Sequence, residues 1–198
     1  MQARGILRIP LFSKPVVLNS KTKTLLYGSN IWSLGEGMMG PIFAIFNQKI
    51  GGSILDISWI WATYLIATGV FTIFIGNISD RKISKEKLLV AGYALNTIFT
   101  FSYLLVASSL DLFFVQVGIG LATALATPTW DALYAQYQDD EQAGYVWGLA
   151  GGRDQLLTGF ALIIGGLIVN YLSFQVLFIT MGIIQAIATI YQAQILNK

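Results

Sequence analysis

The chain has 198 residues, 55% of them hydrophobic and only 11% charged, with a net charge of +2 and neither Cys nor His. A soluble domain carries about a quarter charged residues, so this chain has too little polar surface to cover itself in water, and the bilayer is its expected solvent. The missing Cys and His exclude disulfide frameworks, thiol nucleophiles, His-based metal sites and Ser-His triads. No nucleophile elbow or zinc motif occurs, so no enzyme, metal or cofactor is expected, and the small net charge gives no case for nucleic acid.

A membrane helix needs roughly 20 mostly apolar residues to cross about 30 Å of hydrocarbon. Six such stretches follow one another, at about Thr24 to Asn47, Ile57 to Ile78, Leu88 to Leu110, Leu112 to Tyr134, Gly144 to Asn170 and Leu172 to Ile195. The expected fold is an all-α membrane protein with six transmembrane helices. Residues 1–23, punctuated by Arg4, Arg8, Lys14, Lys21 and Lys23, read as a cytoplasmic tail and not as a cleaved signal; residues 24–198 form the transmembrane domain. The tail, the loop carrying Arg81, Lys82, Lys85 and Lys87, and Lys198 fall on one side, against Lys49 alone on the other. Both termini are therefore expected in the cytoplasm, in a protein of the plasma (cytoplasmic) membrane. The acidic loop Asp139-Asp140-Glu141 lacks basic residues, and acidic groups weigh little in this rule.

An offset of about 90 residues exposes an internal repeat. Thr68-Gly69 matches Thr158-Gly159, Ile73 matches Ile163, Gly76 matches Gly166, Ile78 matches Ile168, and Asp80 faces Asn170. The offset pairs span two with span five, so the unit is three helices, running about 24–110 and 112–195. An odd number of spans per unit forces the two copies to cross in opposite directions, the inverted-repeat arrangement of secondary transporters.

The run from Gly76 to Lys85, Gly-Asn-Ile-Ser-Asp-Arg-Lys-Ile-Ser-Lys, resembles the loop signature of the major facilitator superfamily. Gly76, Ser79, Asp80, Arg81 and Lys85 agree with that signature, while Ile83 and Ser84 depart from its Gly and Arg. An acid and a base at a helix end can exchange partners between two packings, so the resemblance implies a cytoplasmic gate here. Leu34-Gly35, Pro41-Ile42 and Ile50-Gly51 are similar to a first-helix pattern of proton-coupled drug exporters in that superfamily, with Ala44 in place of a second Pro. Gln116-Val-Gly118-Ile-Gly120 with Pro128 is similar to the family's fourth helix without its intramembrane Arg. Family members have two six-helix halves, so the resemblance implies an N-terminal half, working as a parallel homodimer or with a missing second half.

Charges inside spans supply the candidate site. Glu36 lies mid-span between Gly35 and Gly37, where an ionised carboxylate costs roughly 2.5 to 3.5 kcal/mol on insertion scales. It must face a cavity, hold a proton, or bond a neighbour, for which Asn30 and Asn96 are the candidates. Gly35, Gly37, Pro41 and Pro128 permit helix distortion. Asp131 and Arg153 lie at similar depth on adjacent spans and are expected to pair, while Asp154 points about 100° away from Arg153. Trp32 and Trp130 are candidate cavity residues, and Trp59, Trp61 and Trp147 fit an interfacial belt. The expected function is secondary active transport of a small solute by alternating access, coupled to a proton or ion through Glu36. The alternative is a non-transporting membrane interaction module or a fragment of a twelve-helix transporter.

Overall fold

The computed structural model describes residues 18–79, 83–137 and 143–197. Seven α-helices lie among these residues: α1 Ser20–Gly37, α2 Ile42–Lys49, α3 Ile54–Ser79, α4 Lys85–Ser102, α5 Ser109–Tyr137, α6 Ala143–Tyr171 and α7 Phe174–Ala193. The last five, with short 3-10 extensions after α4 and α7, are long and apolar enough to cross a membrane. The first expected span differs from its prediction: it is two helices broken at Met38–Pro41. Physically, Gly37, Gly40 and Pro41 leave this stretch with little helix propensity, and Pro41 starts α2 instead of continuing α1.

Polar side chains set the other boundaries. Asn19 and Ser84 accept the backbone amides of Thr22 and Lys87 to cap α1 and α4. Ser53 pairs reciprocally with Asp56, and Ser108 with Asp111, in two capping boxes that open α3 and α5. Gly51, at φ 87°, makes the tight turn after α2. Inside α5, Pro128 removes one backbone donor, and the hydroxyl of the next residue, Thr129, donates to the Leu125 and Ala126 carbonyls.

The helices pack in a row. α3 lies on α5, α5 on α4, α4 on α7, α7 on α1 and α1 on α6. Exchanging the first three spans for the last three reproduces the same row in reverse. The contacts repeat in detail: Gly120 of α5 comes so close to α3 that a Cβ there would sit 3.1 Å from Thr68 Oγ1, and one on Gly37 of α1 would sit 2.9 Å from Thr158 Cα of α6. Thr68 and Thr158 are the pair matched by the sequence offset of about 90 residues.

Apolar clusters close the two ends of the bundle. One gathers Phe46, Tyr103, Leu112, Phe174 and Phe178, with Phe46 4.8 Å from Phe178 and Tyr103 stacked on Phe178 at 5.1 Å between ring centres. The other gathers Leu25, Leu26, Leu89, Leu133 and Tyr134. Small residues permit the closest approach between α4 and α5, where a Cβ at Gly92 would lie 2.8 Å from the Ala126 nitrogen. The stripe Gly118, Ala122 and Ala126 faces α4, with Gly118 under Phe99 and Gly92 against Ala122 and Ala126. Gly144, Gly148, Gly152 and Gly159 of α6, and Gly69 of α3, face open space.

Candidate functional site

A polar layer separates the two apolar clusters. Asn96 of α4 donates to Glu36 Oε1 at 2.7 Å, and Gln185 of α7 donates to the same oxygen at 3.3 Å and to the Trp32 carbonyl at 3.1 Å. Asn96 and Gln185 are fully buried. Gln185 can reach Glu36 because α1 has a glycine beneath it: a Cβ at Gly35 would lie 2.7 Å from Gln185 Nε2. One heptad away, Gly28 stands under Gln192 in the same way. These glutamines escaped the sequence reading, although Gly28 and Gly35 share a seven-residue spacing with Gln185 and Gln192 that would have revealed them. Asn30 is not a partner of Glu36. It lines a separate outer recess with Tyr27 and Tyr191, because six residues of helix turn it to another face of α1.

Two connected recesses run along α1. The first, about 400 Å³, is lined by Trp32, Ser33, Tyr93, Trp130, Asp131, Trp147 and Asp154 among others. The second, about 330 Å³, holds Glu36, Gly37, Pro41, Trp61, Tyr64, Tyr103 and Gln116. Trp32, Ser33 and Asp154 belong to both, so one groove carries three carboxylates. Among the described residues no Lys or Arg lines either recess.

The expected Asp131–Arg153 pair does not form among the described residues. Asp131 lines the groove, and Arg153 is absent from its lining. The residue that turns inward is Asp154, which accepts a short hydrogen bond from the Ser33 hydroxyl. Arg153 and Asp154 are neighbours about 100° apart on α6, and the lean of α6 on α1 selects the aspartate. Trp130 is fixed by donating to the Leu25 carbonyl at 3.1 Å and by stacking on Tyr134 at 4.5 Å. Trp32 lies 4.4 Å from the Tyr93 ring centre. Trp147, assigned by position to an interfacial belt, lies against Trp130 and Tyr134 in the groove.

Of the expected gate, Gly76 lies in α3 and Lys85 opens α4. Asp80, Arg81 and the side chain of Ser79 lie outside the described residues. Beside this loop, Tyr137 at the end of α5 donates to Glu86 at 2.8 Å. Its backbone carbonyl accepts from Asn19 at 2.6 Å and Thr22 at 3.0 Å, and Lys21 stands 4.7 Å above its ring. This clamp ties α1, α4 and α5 at one end of the bundle.

An all-α, multi-pass membrane fold with a groove of carboxylates and aromatic rings defines a membrane protein built around a polar internal surface. The sequence profile of the Major Facilitator Superfamily matches residues 25–195, and the chain belongs to that family. It is 27% identical over 157 residues to an uncharacterized MFS-type transporter of Methanocaldococcus jannaschii, a match covering 79% of this chain and 40% of that protein. The chain therefore spans less than half the length of this relative.

Proposed function

We propose that the chain is a secondary transport unit that moves a small solute by alternating access and couples this movement to proton binding at Glu36. The carrying observation is that Glu36 is held by two neutral amides, Asn96 and Gln185, beside a groove without a lining cation among the described residues. A salt bridge would hold a carboxylate in its charged form. Amides bond either a carboxylate or a carboxylic acid, so Glu36 keeps a hydrogen-bond partner whether or not it holds the proton. Tyr64, Tyr103 and Asp154 line the same recess.

The reversed packing order and the matched Thr68–Gly120 and Thr158–Gly37 contacts support reading the fold as two inverted three-helix repeats. The Lys and Arg distribution supports cytoplasmic termini in the plasma membrane. The Gly76 to Lys85 loop, beside the Tyr137 clamp, is the cytoplasmic gate. The open small-residue faces of α3 and α6 are where a second copy or a second half would complete the cavity wall.

Proteoliposomes on a solid-supported membrane test this reading. A panel of organic cations, anions and neutral solutes is applied with and without an imposed pH gradient. A solute-specific current that depends on the gradient and is lost in Glu36→Gln is the expected result. Gradient-driven current at wild-type size in that variant removes Glu36 from coupling.

A further inference from the structure

The recess between α1, α5 and α6 has a composition that selects a class of solute. Its volume of about 400 Å³ lies within the range of small-molecule sites, about 300 to 1,000 Å³. Asp131 and Asp154 stand on its α5 and α6 walls, with Trp32, Tyr93, Trp130 and Trp147 around them. Neither carboxylate has a cationic partner lining the recess among the described residues; Arg153, adjacent in the chain to Asp154, is absent from the lining. Asp154 is anchored by the Ser33 hydroxyl, and Trp130 by its bond to the Leu25 carbonyl. Carboxylate and ring are thus held in place before any solute arrives.

We propose that this groove binds an organic cation, an amine or quaternary ammonium, seated between Asp154 and Asp131 and covered by the indole rings. Three ligand classes fit less well. An anion would meet two uncompensated carboxylates in a setting that strengthens their repulsion. A neutral solute would displace water from two carboxylates without offering either a counter-charge. A bare metal cation calls for a close shell of oxygen ligands, whereas aromatic rings outnumber the carboxylates four to two in this lining. Aromatic faces attract ammonium groups through the ring quadrupole, and two separated carboxylates allow the cation to shift along the groove. The inference deepens the transport reading, on which it rests for the claim that the bound molecule is carried.

The test is isothermal titration of the full chain in lipid nanodiscs, corrected against empty discs, with three probes of similar size. These are phenyltrimethylammonium, its neutral isostere tert-butylbenzene, and the anion benzenesulfonate. The cation is expected to bind at least about tenfold more tightly than either alternative. Asp154→Asn and, separately, Asp131→Asn are expected to weaken it by about tenfold while leaving the neutral probe unchanged, and Trp147→Leu to weaken it less. Equal affinity for the three probes overturns the proposal, as does wild-type cation affinity in both Asn variants. If neither variant folds, the charge series on the wild-type chain decides alone. Charge-selective binding without transport would leave this inference standing and remove the transport reading. Transport of an anion without cation selectivity would do the reverse.

Discussion

Asn96 of α4 donates a 2.7 Å hydrogen bond to the Glu36 carboxylate of α1. Both groups lie between two apolar clusters, so each is the other's replacement for water. Removing a donor from a buried acceptor costs about 1 to 3 kcal/mol, and more where the acceptor is charged. Asn96→Leu is therefore expected to lower thermal stability in detergent, and Glu36→Gln, which keeps an acceptor at the same place, to cost under about 1 kcal/mol. Thermal unfolding of the two variants checks the order; a larger loss in Glu36→Gln would contradict it.

The glycines divide into two groups with opposite expected responses. Gly35 and Gly92 sit against Gln185 and against Ala122 and Ala126, whereas Gly148 and Gly159 face open space. Leucine at Gly35 or Gly92 is expected to destabilise strongly, since backbone atoms of α5 cannot retreat from position 92 and Gln185 would lose Glu36. Alanine at Gly148 or Gly159 is expected to be neutral or to stabilise by up to about 1 kcal/mol through helix propensity. Melting temperatures of the four single variants decide.

The same open face gives a prediction about assembly. Leucine at Gly148 and Gly159 is expected to leave the melting temperature of the isolated chain nearly unchanged and to reduce inter-chain crosslinking in membranes, because small residues permit close helix contact. Crosslinking absent from the wild-type chain would remove the homodimer and leave the second-half reading.

Tyr137 joins the end of α5 to Glu86 and to the start of α1. Tyr137→Phe removes the hydroxyl's bond to Glu86 and the longer one it accepts from Lys21 at 3.5 Å, leaves the backbone bonds in place, and is expected to cost about 1 to 3 kcal/mol. Because the sequence contains no Cys, single-cysteine reporters need no prior substitutions. A cysteine at Ser29 in the groove is expected to label faster from the cytoplasmic side in the Tyr137→Phe background. An unchanged rate would separate the clamp from gating.

Five of the six expected spans were legible because each is a long apolar window, a property that composition along the chain records directly. The first was not, since Gly37 to Pro41 ends one helix and starts another, and a hydropathy window averages across such a break. Glu36 stood out for the same reason that it is costly. Of its two partners, Asn96 was among the candidates and does bond it, whereas Gln185 is neutral and lies 149 positions away, so only the matching glycine spacing on α1 pointed to it. The choice between Arg153 and Asp154 depends on how α6 leans, a rotation that adjacent letters do not encode. Trp147 looked like an interfacial ring because it lies near a helix end, but that end flanks the groove.

Proton coupling at Glu36 is tested most directly by pH-gradient-driven solute accumulation in proteoliposomes, compared between wild type and Glu36→Gln at equal protein density. The predicted result is accumulation by the wild-type chain and none by the variant, which still exchanges solute without a gradient. Accumulation by the variant at the wild-type level would contradict it.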